Sequence, residues 1–241
     1  GDLTEEQTRE RARRIDPLGQ SSYRIYAVSP KERMITLDDK LYALMETDAD
    51  AAHRCTFIEW RRMMLALCRE EDGLSAQEAL TRFGDLLTRA GVDRQSVVIG
   101  QSDLREARAQ MGASLCEAVY AARAAKLCGK AELAAHELGL YAYLFPMSEN
   151  PFVCDRCRRV LSAIREYDAQ NHTNLEQTAL VYVKENMEIA AAAKVLFQHP
   201  NTVRYRLSKI QRIIGMEDDP LFAPMLSLTV SLSRILAEGQ V

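Results

Sequence analysis

The chain lacks the features of a membrane-spanning or secreted protein. In its 241 residues, no apolar run approaches the roughly 20 residues that cross a bilayer, and no secretory signal is recognised at its start. The six cysteines are scattered among helical patterns, and a chain of this length can bury a core without disulfides; we therefore expect a reduced, cytoplasmic setting. The net charge of -3 argues against general binding of polyanions, so any nucleic-acid contact must be local.

Common catalytic motifs are missing as well. The sequence contains no glycine-rich phosphate-binding loop, no Gly-x-Ser-x-Gly and no His-Glu-x-x-His. The spacing of Cys154 and Cys157 suggests a metal or redox site, but a structural zinc site needs four ligands and no second pair has suitable spacing. We expect a structural pair, with metal or redox function as the alternative, and we expect no catalysis and no cofactor.

One stretch near the end of the chain has the pattern of a helix that is buried on one side. Pro200 suits the first helical position, His199 suits the cap before it, and Gly215 suits the left-handed residue after a helix. Between them, apolar residues recur at helical spacing and predict one buried stripe, formed by Val203, Leu207, Ile210 and Ile214.

The opposite side of this helix carries amides, hydroxyls and cations. From Ile189 to Met216 the chain has five Lys or Arg residues and no Asp or Glu, which is the local positive charge that phosphate binding requires. These polar side chains, with the cap, are the candidate DNA contacts: His199, Asn201, Thr202, Arg204, Tyr205, Arg206, Ser208, Lys209 and Arg212.

A second helix is predicted just before this one. Asn186 is the expected cap of a helix from Met187 to Phe197, and two residues then lead to Pro200. The alanines at 191–193 would let the following helix approach closely. Two helices joined by so short a turn form a helix-turn-helix unit, whose second helix reads the major groove of DNA.

Two of the candidate contacts lie where base edges are within reach. Asn201 and Thr202 belong to the first helical turn, from which side chains enter the major groove. Asparagine can bind adenine at two points, and threonine offers a hydroxyl and a methyl group; helix capping is the alternative role. Phosphate contacts are expected from the residues further along the helix, Tyr205, Ser208, Lys209 and Arg212.

For the other three candidate residues, roles other than a DNA contact also fit the sequence. Arg204 suits either a phosphate contact or a solvated surface. Arg206 lies nearer the buried stripe, so an internal ion pair with Glu185 or Glu188 and a DNA contact both fit. His199 is expected to order the turn as a cap.

This part of the chain resembles the C-terminal DNA-binding domain of PucR/CdaR-type bacterial transcription regulators. Those domains carry the signature Leu-Phe-x-His-x-Asn-Thr-(aliphatic)-x-Tyr-Arg-(aliphatic), followed by a last amphipathic helix. Residues 196–207 contain each fixed element, although Pro200 stands where members commonly have a basic residue. The resemblance implies a transcription regulator that binds double-stranded DNA.

The preceding part of the chain alternates strand and helix patterns. Strands are predicted at 22–28, 54–59, 62–67 (a helix being the alternative for this one) and 95–100, and helices at 36–45, 76–90, 103–127 and 137–145, where Ser75 with Glu78 and Asp103 are the expected caps. This order predicts an α+β fold with an antiparallel or mixed sheet and helices on one face. It resembles the degenerate GGDEF-type domain of CdaR-like regulators. The turn at 58–63 has no glycine and one acid, which argues against nucleotide chemistry.

The pattern divides the chain into four segments. Thr173 with Glu176 is the expected capping box of the last domain. Asp219-Pro220 is expected to open a final helix whose apolar stripe is formed by Leu221, Met225, Leu228, Leu232 and Ile235. The segments are a linker helix at 1–20, for which a solvated terminal helix is the alternative, a GGDEF-like α+β domain at 21–149, a connecting helix at 150–172 and an all-α helix-turn-helix DNA-binding domain at 173–241.

These features favour a cytoplasmic, sequence-specific transcription regulator. One helix-turn-helix makes few contacts, so we expect a homo-oligomer that binds two operator half-sites, with a small-molecule effector as a further partner. The alternative is a small-molecule sensory module whose C-terminal helices mediate protein contacts. A residual nucleotide-processing enzyme is the third hypothesis.

Overall fold

The computed structural model describes residues 22–32, 37–70, 73–106 and 111–238. They form two compact units, one that ends at Ala142 and one that begins at Tyr143. The predicted linker helix at 1–20 lies outside the described residues. In the described part, no helix has the length and apolar character needed to cross a membrane.

The first unit is built on a mixed sheet. Its strands lie in the order β2-β3-β1-β4-β6, with β5 beside β1; the described pairs are antiparallel except β4 with β6, which is parallel. The strands are β1 (Ser22–Pro30), β2 (Cys55–Trp60), β3 (Met63–Glu70), β4 (Val97–Gln101), β5 (Arg105–Glu106) and β6 (Glu132–Ala134). The helices of this part are α1 (Asp38–Thr47), α2 (Ala49–Arg54), α3 (Ala76–Arg89), α4 (Met111–Leu127) and, at the boundary, α5 (Tyr141–Glu149).

Helices cover both faces of this sheet, so the prediction of helices on one face is wrong. Tyr26 and Val28 of β1 point into a core that they share with α1, α2 and α3. On the other face, α4 lies so close to β4 that a Cβ on Gly100 would collide with the carbonyl oxygen of Ala118. Both faces of β1 are covered, since even its charged residue Arg24 is buried.

Two predicted helices of this unit have different bounds. The Ala-rich helix is described from Met111 onwards, and Asp103 is not its cap, because Arg105–Glu106 pairs with β1 as a strand instead. The helix predicted at 137–145 forms from Tyr141 onwards as α5 and extends to Glu149, while Glu137 ends the short 3-10 helix Ala135–Glu137. At Arg105–Glu106, sheet pairing outweighs the helical propensity of the local sequence.

Other local predictions for this unit are confirmed. Ser75 Oγ accepts the N–H of Glu78, whose carboxylate accepts the N–H of Ser75, so the capping box of α3 forms. The strands predicted at 54–59 and 62–67 are β2 and β3. The helix predicted from Thr36 is described from Asp38 onwards, and Thr36 itself lies outside the described residues.

Two of the cysteines lie on strands and not on helices. Cys55 of β2 stands directly opposite Cys68 of β3, and the structure joins their sulfur atoms in a disulfide. Cys55 lies in the strand predicted at 54–59, but the expectation that the cysteines are reduced is wrong for this pair.

The second unit is all-α. Its helices are α6 (Pro151–Asn171), α7 (Leu175–Lys184), α8 (Ile189–Val195), α9 (Pro200–Ile214) and α10 (Phe222–Glu238), and apolar residues from all five meet in one core. The predicted fold class, an α+β part followed by an all-α helix-turn-helix part, is confirmed. The GGDEF-like assignment and the bounds 21–149, 150–172 and 173–241 stay predictions.

The cap of α7 comes from the preceding helix, which corrects the predicted capping box of Thr173 and Glu176. Asp168, near the end of α6, accepts hydrogen bonds from the N–H groups of Leu175 over 2.8 Å and Glu176 over 2.9 Å, and from the Thr173 hydroxyl. Burial raises the pKa of Asp168, but these hydrogen bonds and the charge of Arg206 outweigh burial, so the pKa lies below its usual value.

The turn between α7 and α8 is also corrected. Asn186 and Met187 have positive φ angles of 54° and 64°, so Asn186 belongs to the turn and does not cap a helix. The helix runs from Ile189 to Val195 and ends before Phe197. Leu221 was predicted on the apolar stripe of the final helix but precedes α10 and is exposed. Leu232 and Ile235 are buried as predicted, and Met225 and Leu228 are half-buried.

Candidate nucleic-acid interface

Both ends of α9 form as the sequence predicts. His199 has extended backbone, and its Nδ1 accepts the N–H of Asn201 over 3.2 Å. Pro200 occupies the first helical position, where an N–H would have no helical partner, and Gly215 follows the helix with a φ of 68°. These ends determine which side chains stand in the first turn.

The predicted apolar stripe of α9 is buried. Val203 and Ile210 have no exposed surface, and Leu207 keeps 7%, while Ile214 is half-buried. They pack in the core of the second unit with buried alanines of α8, whose short side chains allow the close approach that the sequence predicts. The opposite face of α9 is left for other contacts.

That opposite face is open along its length. Tyr205 exposes 68% of its surface, and Lys194 of α8 is exposed as well. The predicted contacts divide into an exposed set, which is His199, Asn201, Arg204, Tyr205, Ser208 and Arg212, and a half-buried set, which is Thr202, Arg206 and Lys209.

Arg204 and Asn201 are bonded to each other one helical turn apart. Arg204 Nη1 donates a hydrogen bond of 2.7 Å to Asn201 Oδ1. An amide oxygen has two lone pairs, and the amide nitrogen keeps its two donors, so Asn201 can still meet a base edge at two points. The bond orients the amide before any ligand arrives, which lowers the entropy lost on binding.

Arg206 makes an internal contact, but not the one predicted. Its Nη1 donates to Thr178 Oγ1 of α7 over 3.1 Å, in place of an ion pair with Glu185 or Glu188. The positive charge also lies near Asp168, whose pKa it helps to lower. Arg206 therefore connects α9 to α7 and to the capping carboxylate.

The two cations further along α9 have neighbours of different kinds. Lys209 Nζ lies 4.9 Å from the centre of the Tyr167 ring, which is within cation–π range. Arg212 Nε is 3.4 Å from Glu217 Oε1, and both side chains are well exposed. Exposed ion pairs of this kind contribute little to stability, so Arg212 can turn to a phosphate at small cost.

Sequence reasoning missed Phe197 as a surface residue. It was interpreted as the end of the preceding helix, but 93% of its surface is exposed and its φ is 53°. The signal that was available is its place in the Leu-Phe-x-His signature, directly before the capped start of α9.

The two cysteines of α6 lie in an environment that suits packing better than thiol chemistry. Cys154 and Cys157 are both buried, and Cys154 Sγ donates to the carbonyl oxygen of Ser148 over 3.0 Å. Burial, followed by the nearby Cys154, raises the pKa of Cys157, which disfavours a reactive thiolate. Within residues 22–32, 37–70, 73–106 and 111–238, no group of three or more His, Cys, Asp or Glu side chains is placed to hold a metal ion.

The second unit matches a known domain family. Residues 175–228 match the PucR C-terminal helix-turn-helix domain. The proline-responsive transcriptional activator PutR of Bacillus subtilis (strain 168) is 28% identical over 111 residues, which are 45% of this chain and 27% of PutR. The DNA-binding transcriptional activator AdeR of the same organism is 31% identical over 81 residues, which are 34% of this chain and 19% of AdeR. The matches span about a quarter or less of these relatives.

A solved structure with a loose likeness is the regulator of polyketide synthase expression from Bifidobacterium adolescentis. It is 20% identical, with coverage of 90% of this chain and 81% of that chain and a TM-score of 0.38. A likeness this loose carries no argument about function. The family match, in contrast, begins at the first residue of α7 and contains the whole of α8 and α9. Residues 175–228 of this chain are therefore similar in sequence to the PucR C-terminal helix-turn-helix domain.

Proposed function

We propose that this chain is a cytoplasmic, non-enzymatic transcription regulator that binds double-stranded DNA in a sequence-specific manner. The observation that carries the proposal is the outer face of α9, which is polar and cationic, is open to solvent, and follows the turn of a helix-turn-helix domain. The relatives PutR and AdeR are named as transcriptional activators, which supports the same function here.

The first turn of α9 reads bases in this proposal. Asn201 is exposed and held by Arg204 over 2.7 Å, and it binds adenine through its amide oxygen and nitrogen. Thr202, half-buried beside it, offers its hydroxyl and methyl to a neighbouring base pair. His199 fixes the start of this turn through its bond to the Asn201 N–H.

The later turns of α9 bind phosphates. Tyr205 and Ser208 donate from their hydroxyls, and Lys209 and Arg212 add charge; such contacts position a protein on DNA without specifying sequence. Arg204 combines the orientation of Asn201 with a contact to the backbone. Arg206 is a positioning residue, because its guanidinium is bonded to Thr178 inside the protein.

We propose a homo-oligomer, because a single domain of this size makes few contacts with DNA. Two copies of α9 then meet two half-sites whose centres lie about 34 Å apart, one helical turn of DNA. The first unit mediates assembly or signal coupling in this proposal.

Footprinting of genomic DNA fragments retained by the purified protein tests the function. We expect protected half-sites spaced by a whole helical turn. Asn201→Ala should lower the affinity for the retained fragment by about tenfold and abolish the preference for one base at one position of each half-site. Gln77→Ala, which removes an exposed amide of α3, should leave both the affinity and the preference unchanged. Retention of no fragment above a scrambled control would overturn the proposal.

A second candidate function, a small-molecule sensory module, has one observation in its favour. The first unit contains a cleft of about 370 Å³ beside the stacked rings of Tyr26 and Phe83, with arginines around it. PutR is named as proline-responsive, so proline is the first metabolite to test. A thermal-shift screen distinguishes the two functions: a large ligand-dependent shift without DNA affinity would favour the sensory module.

A further inference from the structure

Phe197 combines two unfavourable features. Its side chain is 93% exposed, so a large apolar surface stays in contact with water and gains none of the free energy that burial would give. Its backbone has a φ of 53°, in the left-handed region that bulky residues seldom adopt. Neither the exposed ring nor the left-handed backbone stabilises the fold, so stability does not explain why phenylalanine stands at this position.

The turn at Phe197 is one that normally takes glycine. The Phe197 N–H donates to the carbonyl oxygen of Lys194 over 3.3 Å, and the Gln198 N–H donates to that of Ala193 over 2.9 Å. The same pair of bonds closes α9, where the left-handed residue is Gly215. Glycine is usual at this position because it has no Cβ, so the phenylalanine at 197 is not required by the turn.

The position of Phe197 indicates what its ring meets. It stands two residues before His199, the cap of the helix proposed to enter the groove, and its neighbours Lys194 and Gln198 are exposed. In the proposed function, this place in the turn directly before α9 puts the exposed ring of Phe197 at the edge of the groove. The apolar groups that DNA offers there are deoxyribose carbons and thymine methyl groups.

We propose that Phe197 is a DNA-contacting residue whose ring packs on deoxyribose and thymine methyl groups at the edge of the major groove. The inference rests on the proposed function of α9 and adds an apolar contact to a set of residues that are otherwise polar. Strained backbone is concentrated at functional sites in proteins, which gives a reason for phenylalanine to stand where glycine would suit the turn.

The experiment compares Phe197→Asn and Phe197→Tyr in the full chain. Asparagine tolerates the left-handed backbone but has no ring, whereas tyrosine keeps the ring. Affinity for a retained DNA fragment is measured by fluorescence anisotropy and stability by thermal melting. We expect Phe197→Asn to bind about fivefold more weakly, as expected for burial of about half a phenylalanine side chain, with an equal or higher melting temperature. Phe197→Tyr should bind like the wild type.

Two further variants isolate the contribution of the Phe197 ring. Phe152→Ser removes another exposed aromatic ring, 79% exposed in α6, and should leave affinity unchanged. Phe197→Gly repeats the test with a residue that relaxes the backbone, in case the asparagine variant does not fold. Affinity within about twofold of wild type for both ring-less variants would overturn the proposal, as would a loss that oligomer dissociation in size-exclusion chromatography fully accounts for. Failure of the wild type to retain DNA would instead refute the proposed function.

Discussion

Arg206 of α9 and Thr178 of α7 are joined by a hydrogen bond of 3.1 Å from the guanidinium to the hydroxyl. Thr178 is fully buried, and its hydroxyl also donates to the carbonyl oxygen of Asn174 over 2.7 Å. The bond holds α9 against its neighbour at the level of its second turn. In the proposed function, recognition of DNA by the outer face of α9 depends on this inner contact, because side chains reach a groove correctly only when the helix is held in place.

Loss of the Arg206 hydrogen-bond donor should therefore lower the stability of the fold and leave the salt dependence of DNA binding nearly unchanged. We expect Arg206→Met, which keeps most of the apolar stem, to lower the free energy of unfolding by about 1–2 kcal/mol, as measured by urea denaturation. Arg204→Met, at an exposed position, should leave stability within about 0.5 kcal/mol. An Arg206 variant with unchanged stability and a reduced salt dependence of DNA binding would show that this residue binds phosphate instead.

Stability should depend on pH through Asp168. Its pKa is below the usual value in the folded protein, so the stabilisation is present above the unfolded pKa of about 4 and is lost as the pH falls through the folded value. Asp168→Asn keeps one acceptor oxygen but cannot ionise, and should melt at a lower temperature than wild type at pH 7.

The measurement is a series of thermal melts from pH 7 down to about pH 2.5. We expect the gap in melting temperature between the wild type and Asp168→Asn to narrow below about pH 4. Because the other carboxylates titrate in both proteins, they cancel in this comparison. A gap that stays constant with pH would refute the role of the charged carboxylate.

Charge on α9 should appear in the salt dependence of DNA binding. Lys209→Ala is expected to weaken binding to all sequences and to reduce the slope of log K against log salt by about 0.9, the value for one phosphate contact. Lys126→Ala, which removes an exposed lysine from α4, is the matched control and should leave the slope unchanged. An unaltered slope for Lys209→Ala would show that Lys209 does not contact a DNA phosphate.

Close packing of α4 on the sheet predicts an unequal response to two glycine substitutions. Gly100→Ala would place a methyl group against backbone atoms of Ala118 and Ala122, and should destabilise the protein by roughly 1–3 kcal/mol or more. Gly112→Ala, in α4 itself, meets nothing within 4 Å and should be neutral or slightly stabilising. Equal melting temperatures for the two variants would contradict the described packing.

The sequence predicts α9 well because its signals are local. The cap at His199, the apolar spacing from Val203 and the stop at Gly215 all lie within one helix and its two flanking residues, so no tertiary information is needed. The side chains of the outer face follow from the same spacing. Local signals of this kind also predicted the capping box of α3.

Most of the wrong predictions concern features that depend on residues far apart in the sequence. Asp168 caps α7 from the end of another helix, whereas the sequence offered Thr173 nearby. Asn186, predicted as a helix cap, and Phe197, predicted as the last residue of that helix, instead adopt left-handed backbone, and the helix between them is shorter than predicted at both ends. The prediction of helices on one face of the sheet is wrong because both faces of β1 are covered, with even Arg24 buried, and only the three-dimensional packing reveals this.

Hydroxyl-radical footprinting of tyrosines tests the central claim, that the outer face of α9 meets DNA. Tyr205 and Tyr143 have nearly equal exposure, 68% and 70%, so their oxidation rates can be compared within one sample. On addition of a retained DNA fragment, oxidation of Tyr205 should fall several-fold while that of Tyr143 stays the same. Unchanged oxidation of Tyr205 in a saturated complex would contradict the account.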